Sequence, residues 1–168
     1  GLSKQGFIPV VDTFVQFGVT KGALPLIMSG LSEAPIIAVY SHTGFQDAAD
    51  GASHRAITYI SMVAAIPNVD VICLTCADEA KALVAQAVET FASETQQGKT
   101  PRSTVFFLGR ETYPASFATG SEYKMGQAQL LSDTTGDFQN SICLVAVGSL
   151  VENALMAQNR LAEKNVGS

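Results

Sequence analysis

The residues best suited to chemistry in this chain lie in one polar stretch, residues 40–54. This stretch contains both histidines of the protein, His42 and His54, together with Asp47 and Asp50. An imidazole can transfer a proton or donate a hydrogen bond, and a carboxylate can accept one. An apolar run precedes the stretch, and polar loops that leave buried strands are where open α/β sheets bind ligands. We therefore predict half of a cofactor and substrate site here, with its other half outside this chain.

Three other interpretations of this stretch stay open from the residues alone. Histidines and carboxylates together could bind a metal ion, although the spacing between His42 and His54 matches no common local zinc pattern. Ser41 or Ser53 could belong to a serine triad, although no Gly-x-Ser-x-Gly elbow is present. Asp50 and His54 could instead be a helix cap and a residue one helical turn further on.

Strand and helix patterns alternate on both sides of the stretch. Apolar runs predict buried strands at residues 7–11, 35–41, 69–74, 104–108 and 142–147. Helical patterns are predicted at about residues 20–31, 55–66, 78–96 and 149–163. This alternation predicts an α/β fold with a mostly parallel open sheet and helices on both faces.

Several helix boundaries can be predicted from single residues. Pro25 is tolerated in a first turn, so regular helix is expected to begin near it. Asp50 or Ser53 is expected to cap the second helix, whose apolar face would carry Ile57, Ile60 and Ala64. Asp78 is expected to cap the third helix, and residues 149–152 have the pattern of a capping box for the last one.

Domain organisation follows from where these patterns weaken. Residues 1–112 are expected to form one α/β domain, and residues 113–140 have the polar, aperiodic composition of a linker. Residues 141–168 contain a single strand–helix unit, which cannot bury its own faces. They are therefore expected to begin a second domain.

Composition excludes several classes of function. The net charge is −5 and the basic residues are scattered, which argues against a nucleic-acid partner. No apolar run reaches the roughly 18–20 residues of a membrane span, so no membrane partner is expected. Three cysteines suggest no disulfide framework, and the expected location is cytoplasmic. Cys73 and Cys76 form a CxxC pair, interpreted as structural because Cys73 falls inside a predicted strand.

Short motifs also occur along this frame in a recognisable order. They are Phe14-Val15-Gln16-Phe17, His42 with Asp50-Gly51-Ala52-Ser53-His54, Ile66-Pro67-Asn68, and Leu108-Gly109-Arg110. Their order and spacing resemble the pyrimidine-binding domain of the transketolase family. Residues 123–149 then resemble the start of the transketolase C-terminal domain. The resemblance implies that residues 1–112 are a pyrimidine-binding-like domain with a truncated N-terminus, and that residues 141–168 begin a C-terminal-like domain.

The resemblance also implies a cofactor and partners. Transketolases use thiamine diphosphate to transfer a two-carbon ketol unit between sugar phosphates. Their cofactor lies between two chains or domains, and its diphosphate and Mg²⁺ are held by another domain. The resemblance thus implies a diphosphate-binding domain or chain as partner, a homodimer or larger assembly, and no metal ligand here. Phe14 and Phe17 would line the aminopyrimidine pocket, Phe17 by ring stacking. The essential glutamate of the family is expected before residue 1.

Roles at the substrate are implied in the same way. His54 would lie near the reacting carbon and donate to a substrate oxygen, and Asp50 would accept from a sugar hydroxyl; these two are the catalytic candidates. His42 and Arg110 would bind farther along the sugar and at its phosphate, where charge-assisted hydrogen bonds are strong. Without the resemblance, Arg110 would be read as a surface charge and the two phenylalanines as core residues.

Two further hypotheses compete with a transketolase-like enzyme. The chain could be a catalytically incompetent α/β module with an assembly or regulatory role. Within the enzyme class, it could belong to a 1-deoxyxylulose-5-phosphate synthase or to the β subunit of a thiamine-dependent 2-oxoacid dehydrogenase. His42 favours transketolase over the synthase, which usually has an acidic residue there. Ala49 and Arg55 stand where the family often has an acidic residue and a glutamine, and this difference concerns substrate preference.

Overall fold

The structure is a computed structural model that describes residues 1–45, 49–117 and 122–168. Asp47, one of the two aspartates in the predicted ligand loop, lies outside these residues. Throughout the described ranges, no helix combines the length and the apolar character needed to cross a membrane. The chain divides into two compact units, each made of two segments: Gly1–Cys73 with Val84–Thr112, and Leu74–Leu83 with Tyr113–Ser168.

The first unit contains a four-stranded sheet in which all neighbouring strands are parallel. Its strands, in the spatial order β1-β2-β4-β3, are β1 (Val10–Phe14), β2 (Ile37–Ser41), β4 (Ser103–Phe107) and β3 (Val69–Cys73). All five residues of β4 are buried, because this strand lies between two neighbours. The predicted α/β fold with a parallel open sheet is confirmed. Because the strands are parallel, their carboxyl ends share one edge, which is the edge where such sheets bind ligands.

The described residues contain four α-helices. They are α1 (Val15–Leu31), α2 (Tyr59–Ala64), α3 (Ala77–Gln96) and α4 (Val151–Ala162). The core of the first unit forms where α1 and α2 pack on the sheet. It buries Val15, Val19 and Leu26 of α1 against Ala38 and Phe107 of the strands, among others. This packing explains why α1 forms despite its weak helical pattern.

The first strand differs from its prediction. We predicted a buried strand at residues 7–11, but β1 spans Val10–Phe14, and Val10 is 61% exposed. The register with β2 pairs Val10 with Ile37 and Phe14 with Ser41, so the partner strand sets the boundaries. β1 is the edge strand of the sheet and is covered less than an apolar run suggests.

The predicted start of α1 is also wrong. The helix begins at Val15, and Pro25 lies inside it rather than near its start. The Thr20 hydroxyl donates to the Gln16 carbonyl, four residues earlier, at 2.6 Å. This hydrogen bond is typical of a helix interior, so the chain is helical well before Pro25. A proline inside a helix costs about 3 kcal/mol, and the buried face of α1 offsets that cost.

The second helix is much shorter than predicted. Instead of residues 55–66, α2 spans Tyr59–Ala64, and a separate 3-10 turn spans Ala52–His54. No side chain caps either segment, so Asp50 and Ser53 do not act as helix caps. Val63 is the buried residue of α2, so the face of the helix that was predicted to be buried is exposed. The residues of that face are Ile57, Ile60 and Ala64.

Two other predicted caps are wrong for related reasons. α3 begins at Ala77, so Asp78 lies within its first turn rather than at its cap. A 3-10 turn at Gly148–Leu150 precedes α4, and no side-chain hydrogen bond caps that helix, so residues 149–152 form no capping box.

The second unit lacks the predicted strand at residues 142–147. Its short parallel pair is β5 (Asn140–Ser141) with β6 (Val166–Gly167). Among the described residues, no strand pairs with 142–147, and a run without a partner cannot form a ladder. The large apolar side chains of this run are exposed: Ile142, Leu144, Val145 and Val147.

Neither cysteine of the CxxC pair forms a disulfide in the structure. In the second unit, Cys76 is buried, and its Sγ lies 3.2 Å from the Tyr123 hydroxyl. Its Sγ also accepts from the Glu79 N–H at 3.5 Å, in the first turn of α3. Burial and, after it, the hydrogen bond with Cys76 raise the pKa of Tyr123.

Gly18 allows α1 to approach the sheet closely. A Cβ at this position would lie 2.7 Å from Cζ of Tyr40, a buried ring packed against Phe107. Overpacking typically lowers the free energy of unfolding by about 1–3 kcal/mol or more. The higher helix propensity of alanine raises it by only about 1 kcal/mol. We therefore expect Gly18→Ala to lower the free energy of unfolding by about 1–2 kcal/mol, measured by chemical denaturation.

The control for this change lies in the same helix. At Gly30 an added Cβ would meet only the Pro67 carbonyl, at an ordinary contact distance of 3.7 Å. Gly30→Ala is expected to leave stability unchanged or to raise it by about 0.5–1 kcal/mol. Equal stabilities for the two variants would contradict the packing explanation.

Candidate functional site

The carboxyl edge of the sheet brings the first sequence-predicted residues together. Phe14 is the last residue of β1 and pairs with Ser41, the last residue of β2. His42 follows immediately, and its ring centroid lies 4.1 Å from that of Phe14 at an interplanar angle of 47°. Strand pairing therefore places a histidine and a phenylalanine in contact although they are far apart in sequence.

A backbone bridge between Gly44 and Ala56 brings the end of the polar loop back to the carboxyl edge of the sheet. The Ala56 N–H donates to the Gly44 carbonyl at 3.2 Å, and the Ala56 side chain is buried in the core. His54, two residues earlier, is thereby held over the sheet edge. Its ring centroid lies 5.3 Å from that of Phe14 and 5.0 Å from that of Phe17, edge-on to the latter. The bridge also explains why helix cannot begin at residue 55.

These four rings form one group, called here the ring cluster: Phe14, Phe17, His42 and His54. Phe17 lies in the first turn of α1, with its ring centroid 6.2 Å from that of Phe14. Neither phenylalanine belongs to the buried core, and Phe17 is 39% exposed. Exposed aromatic surface beside hydrogen-bonding imidazoles is suited to a flat, polar-edged heterocycle.

Both imidazoles are hydrogen bonded at the same ring atom. Ser41 Oγ lies 2.7 Å from His42 Nδ1, and Ser53 Oγ lies 3.1 Å from His54 Nδ1. His42 also has a φ of 64°, in the left-handed region that costs a residue with a Cβ about 1–2 kcal/mol. Such backbone strain is concentrated at functional sites. The sequence signal that was missed is a serine directly before each histidine.

Asp50 and Arg110 are the two predicted site residues that are not members of the ring cluster. Both side chains are exposed. The Thr43 N–H donates to the Leu108 carbonyl at 3.1 Å, which places the turn carrying Arg110 beside the polar loop. The structure therefore brings four of the six predicted site residues into contact and leaves these two nearby on the surface.

Two alternative interpretations of the loop receive no support from these contacts. Among the residues that the structure describes, no group of three or more His, Cys, Asp or Glu could hold a metal ion. In each serine–histidine pair the hydroxyl engages Nδ1, which is the atom that the carboxylate of a serine triad uses.

Comparison with known proteins identifies the class to which this fold and site belong. Residues 1–116 match the family described as "Transketolase, pyrimidine binding domain". Because this match covers well over half of the chain, the chain belongs to the transketolase family.

Individual relatives agree with this assignment. The transketolase of Sinorhizobium medicae is 30% identical over 167 residues, covering 97% of this chain and 22% of the relative. The chloroplastic transketolase of Solanum tuberosum is 27% identical over 164 residues, covering 97% of this chain and 21% of the relative. The chain thus spans about a fifth of the length of these relatives.

Solved structures show the same similarity. A Pichia stipitis transketolase in complex with sedoheptulose 7-phosphate superposes with a TM-score of 0.71 at 26% identity, covering 96% of this chain and 22% of that one. Leishmania mexicana transketolase gives a TM-score of 0.68 at 25% identity, with the same coverage. The resemblance stated from the motifs is therefore confirmed.

Proposed function

We propose that this chain supplies the pyrimidine-binding part of a thiamine diphosphate-dependent transferase that moves a two-carbon ketol unit between sugar phosphates. The observation that carries the proposal is the ring cluster at the carboxyl edge of a transketolase-family sheet. Relatives support the substrate class, since Pichia stipitis transketolase structures are described as complexes with sedoheptulose 7-phosphate, fructose 6-phosphate and xylulose 5-phosphate.

The ring cluster fits half of a thiamine site. Phe14 and Phe17 offer ring surface for the aminopyrimidine, and the exposed side of Phe17 leaves room for a partner to close the pocket. When bound, thiamine diphosphate supplies the carbanion chemistry of such transferases. Its diphosphate and Mg²⁺ would be held by a diphosphate-binding domain or chain. The complete site would form in a homodimer or a larger assembly.

His54 and Asp50 are assigned to the reacting end of the substrate. With Nδ1 of His54 engaged by Ser53, its Nε2 is the ring atom that donates to a substrate oxygen. Asp50 lies four residues before His54 on the same loop, and it accepts a hydrogen bond from a sugar hydroxyl. The exposed carboxylate and the half-buried imidazole are suited to these roles, because a substrate can reach both.

His42 and Arg110 are assigned to the distal sugar and its phosphate. A hydrogen bond to a charged group contributes about 1.5–3 kcal/mol, or roughly 10- to 150-fold in binding. We expect Arg110→Ala to raise KM for a ketose phosphate by about that factor and to leave KM for the unphosphorylated ketose unchanged. Lys99→Ala is the control, since Lys99 precedes β4 whereas Arg110 follows it. Equal effects on both ketoses would remove Arg110 from phosphate binding.

The proposed function is tested by binding and by turnover. The chain is combined with a candidate diphosphate-binding partner and Mg²⁺, and thiamine diphosphate is titrated by calorimetry, with each component alone as control. We expect heat only from the combination, followed by ketol transfer from a ketose phosphate. Activity with a 2-oxoacid, or a deoxy sugar phosphate as product, would assign the chain to one of the rival enzymes. Binding to the partner without heat or turnover would identify a non-catalytic module.

The domain boundaries after residue 112 and the cytoplasmic location remain part of this proposal. Residues 113–140 would serve as the linker, and residues 141–168 would begin the C-terminal-like domain. The exposed apolar run at 142–147 supports the last point, because such a run requires neighbouring strands.

A further inference from the structure

We propose that Ser41 and Ser53 are positioning residues that hold both imidazoles of the ring cluster with the proton on Nε2. The proposal starts from a repeated arrangement, because each histidine of the chain is preceded by a serine whose hydroxyl reaches its Nδ1. The distances are 2.7 Å for Ser41 with His42 and 3.1 Å for Ser53 with His54. The inference rests on the proposed function, because the direction of each hydrogen bond is inferred from the substrate oxygens that the rings would bind.

The direction of these hydrogen bonds follows from what the rings must recognise. A neutral imidazole carries one N–H, so its two nitrogens have opposite roles. If the serine donates to Nδ1, the proton is on Nε2, and Nε2 becomes a donor. Carbonyl and phosphate oxygens only accept, so a ring that binds them through Nε2 requires this tautomer. The reverse bond would turn Nε2 into an acceptor and repel the same oxygens.

The surrounding contacts explain what the serine hydrogen bond adds to the orientation of each ring. The phenyl ring of Phe14 packs on both imidazoles, and Phe17 meets the edge of the second. Such packing limits the ring plane but allows a half-turn that exchanges Nδ1 with a ring carbon. The serine hydroxyl distinguishes these two orientations, because only one of them places a nitrogen against it. With the ring in that orientation, its Nε2 atom points in a single direction.

The two serines are held with different firmness. Ser41 ends β2, where pairing with Phe14 fixes its backbone, and its contact with the imidazole is half-buried. Ser53 lies in a short 3-10 turn, and its contact is exposed and longer. Water competes better for an exposed hydrogen bond, so the Ser41 pair should control its tautomer more strongly than the Ser53 pair.

Nuclear magnetic resonance tests the tautomers directly. The chain has only two histidines, so ¹⁵N-labelled histidine gives two imidazole signals, which His42→Gln assigns. At roughly pH 8.5, we expect both wild-type rings to carry the proton on Nε2. Ser41→Ala should move only His42 toward a mixture, Ser53→Ala only His54, and threonine at either position should restore the wild-type spectrum. Protons on Nδ1 in the wild type, or unchanged tautomers in the alanine variants, would overturn the proposal.

Kinetics in the assembled enzyme separates positioning from simple structural support. Because His54 is assigned to the reacting carbon, Ser53→Ala should lower kcat by about tenfold with little change in KM. Because His42 is assigned to the distal sugar, Ser41→Ala should instead raise KM by about tenfold. Ser53→Thr and Ser41→Thr should recover both values, and failure of threonine to rescue would overturn the positioning role. A wild-type enzyme without ketol transfer would refute the proposed function, while the tautomer result would still decide this inference.

Discussion

Replacing His54 with alanine is expected to lower kcat of the assembled enzyme by about 10²- to 10⁴-fold, the usual contribution of a positioned acid or base. The reason is geometric: the Gly44–Ala56 bridge holds this imidazole against Phe14 and Phe17 at the ligand-binding edge of the sheet. Steady-state rates of ketol transfer between sugar phosphates measure the effect. The free energy of unfolding should change by only about 1 kcal/mol, because few contacts of a half-exposed ring are lost.

A second substitution separates chemistry from packing at this position. His54→Phe keeps an aromatic ring beside Phe14 and Phe17 but removes both nitrogens. We expect it to retain wild-type stability and to lose kcat as severely as His54→Ala does. If His54→Phe turned over at the wild-type rate, His54 would be a packing residue and the assignment of proton transfer to it would be wrong.

The second large effect is expected at the cofactor. Phe17→Ala should raise the dissociation constant of thiamine diphosphate by about 10- to 100-fold, the cost of losing a buried phenyl surface of about 1.5–3 kcal/mol. Phe17 is 39% exposed in this chain, so its ring is accessible to a heterocycle that a partner domain brings. Calorimetry with the diphosphate-binding partner and Mg²⁺ measures the constant.

Phe7→Ala is the matched control for this measurement. Phe7 is also an exposed phenylalanine, but it precedes β1, whereas Phe14 ends that strand. It therefore belongs to the opposite end of the sheet and should leave cofactor affinity unchanged. Indistinguishable affinities for Phe7→Ala and Phe17→Ala would show that the cofactor does not use the ring cluster.

Local patterns were reliable where a segment's environment is uniform along its length. The apolar run at residues 104–108 predicted a buried strand, and the structure buries every residue of β4 (Ser103–Phe107). The regular spacing of apolar residues predicted α3; of these residues Leu83, Ala87 and Phe91 are buried, whereas Val84 and Val88 are exposed. Both predictions succeeded because burial on two faces, or on one helical stripe, leaves a periodic trace that neighbouring residues are enough to show.

Predictions failed where a distant contact sets the local conformation. The Gly44–Ala56 bridge forces an extended backbone at Arg55 and shortens α2, and no periodicity reports such a bridge. Pairing with β2 places β1 at Val10–Phe14, three residues later in the chain than the predicted strand at 7–11. Residues 142–147 are apolar enough for a strand, but a strand requires a partner, which the described part of the chain does not provide.

The sequence by itself determined the α/β class, the family and the types of residue offered to a ligand, because these depend on composition, periodicity and motif order. Only the tertiary structure decided that four aromatic and imidazole rings meet and that Asp50 and Arg110 are exposed. It alone showed a serine hydroxyl at Nδ1 of each histidine. The physical reason is that distances between residues far apart in sequence depend on strand register and loop closure, which the whole packed unit sets.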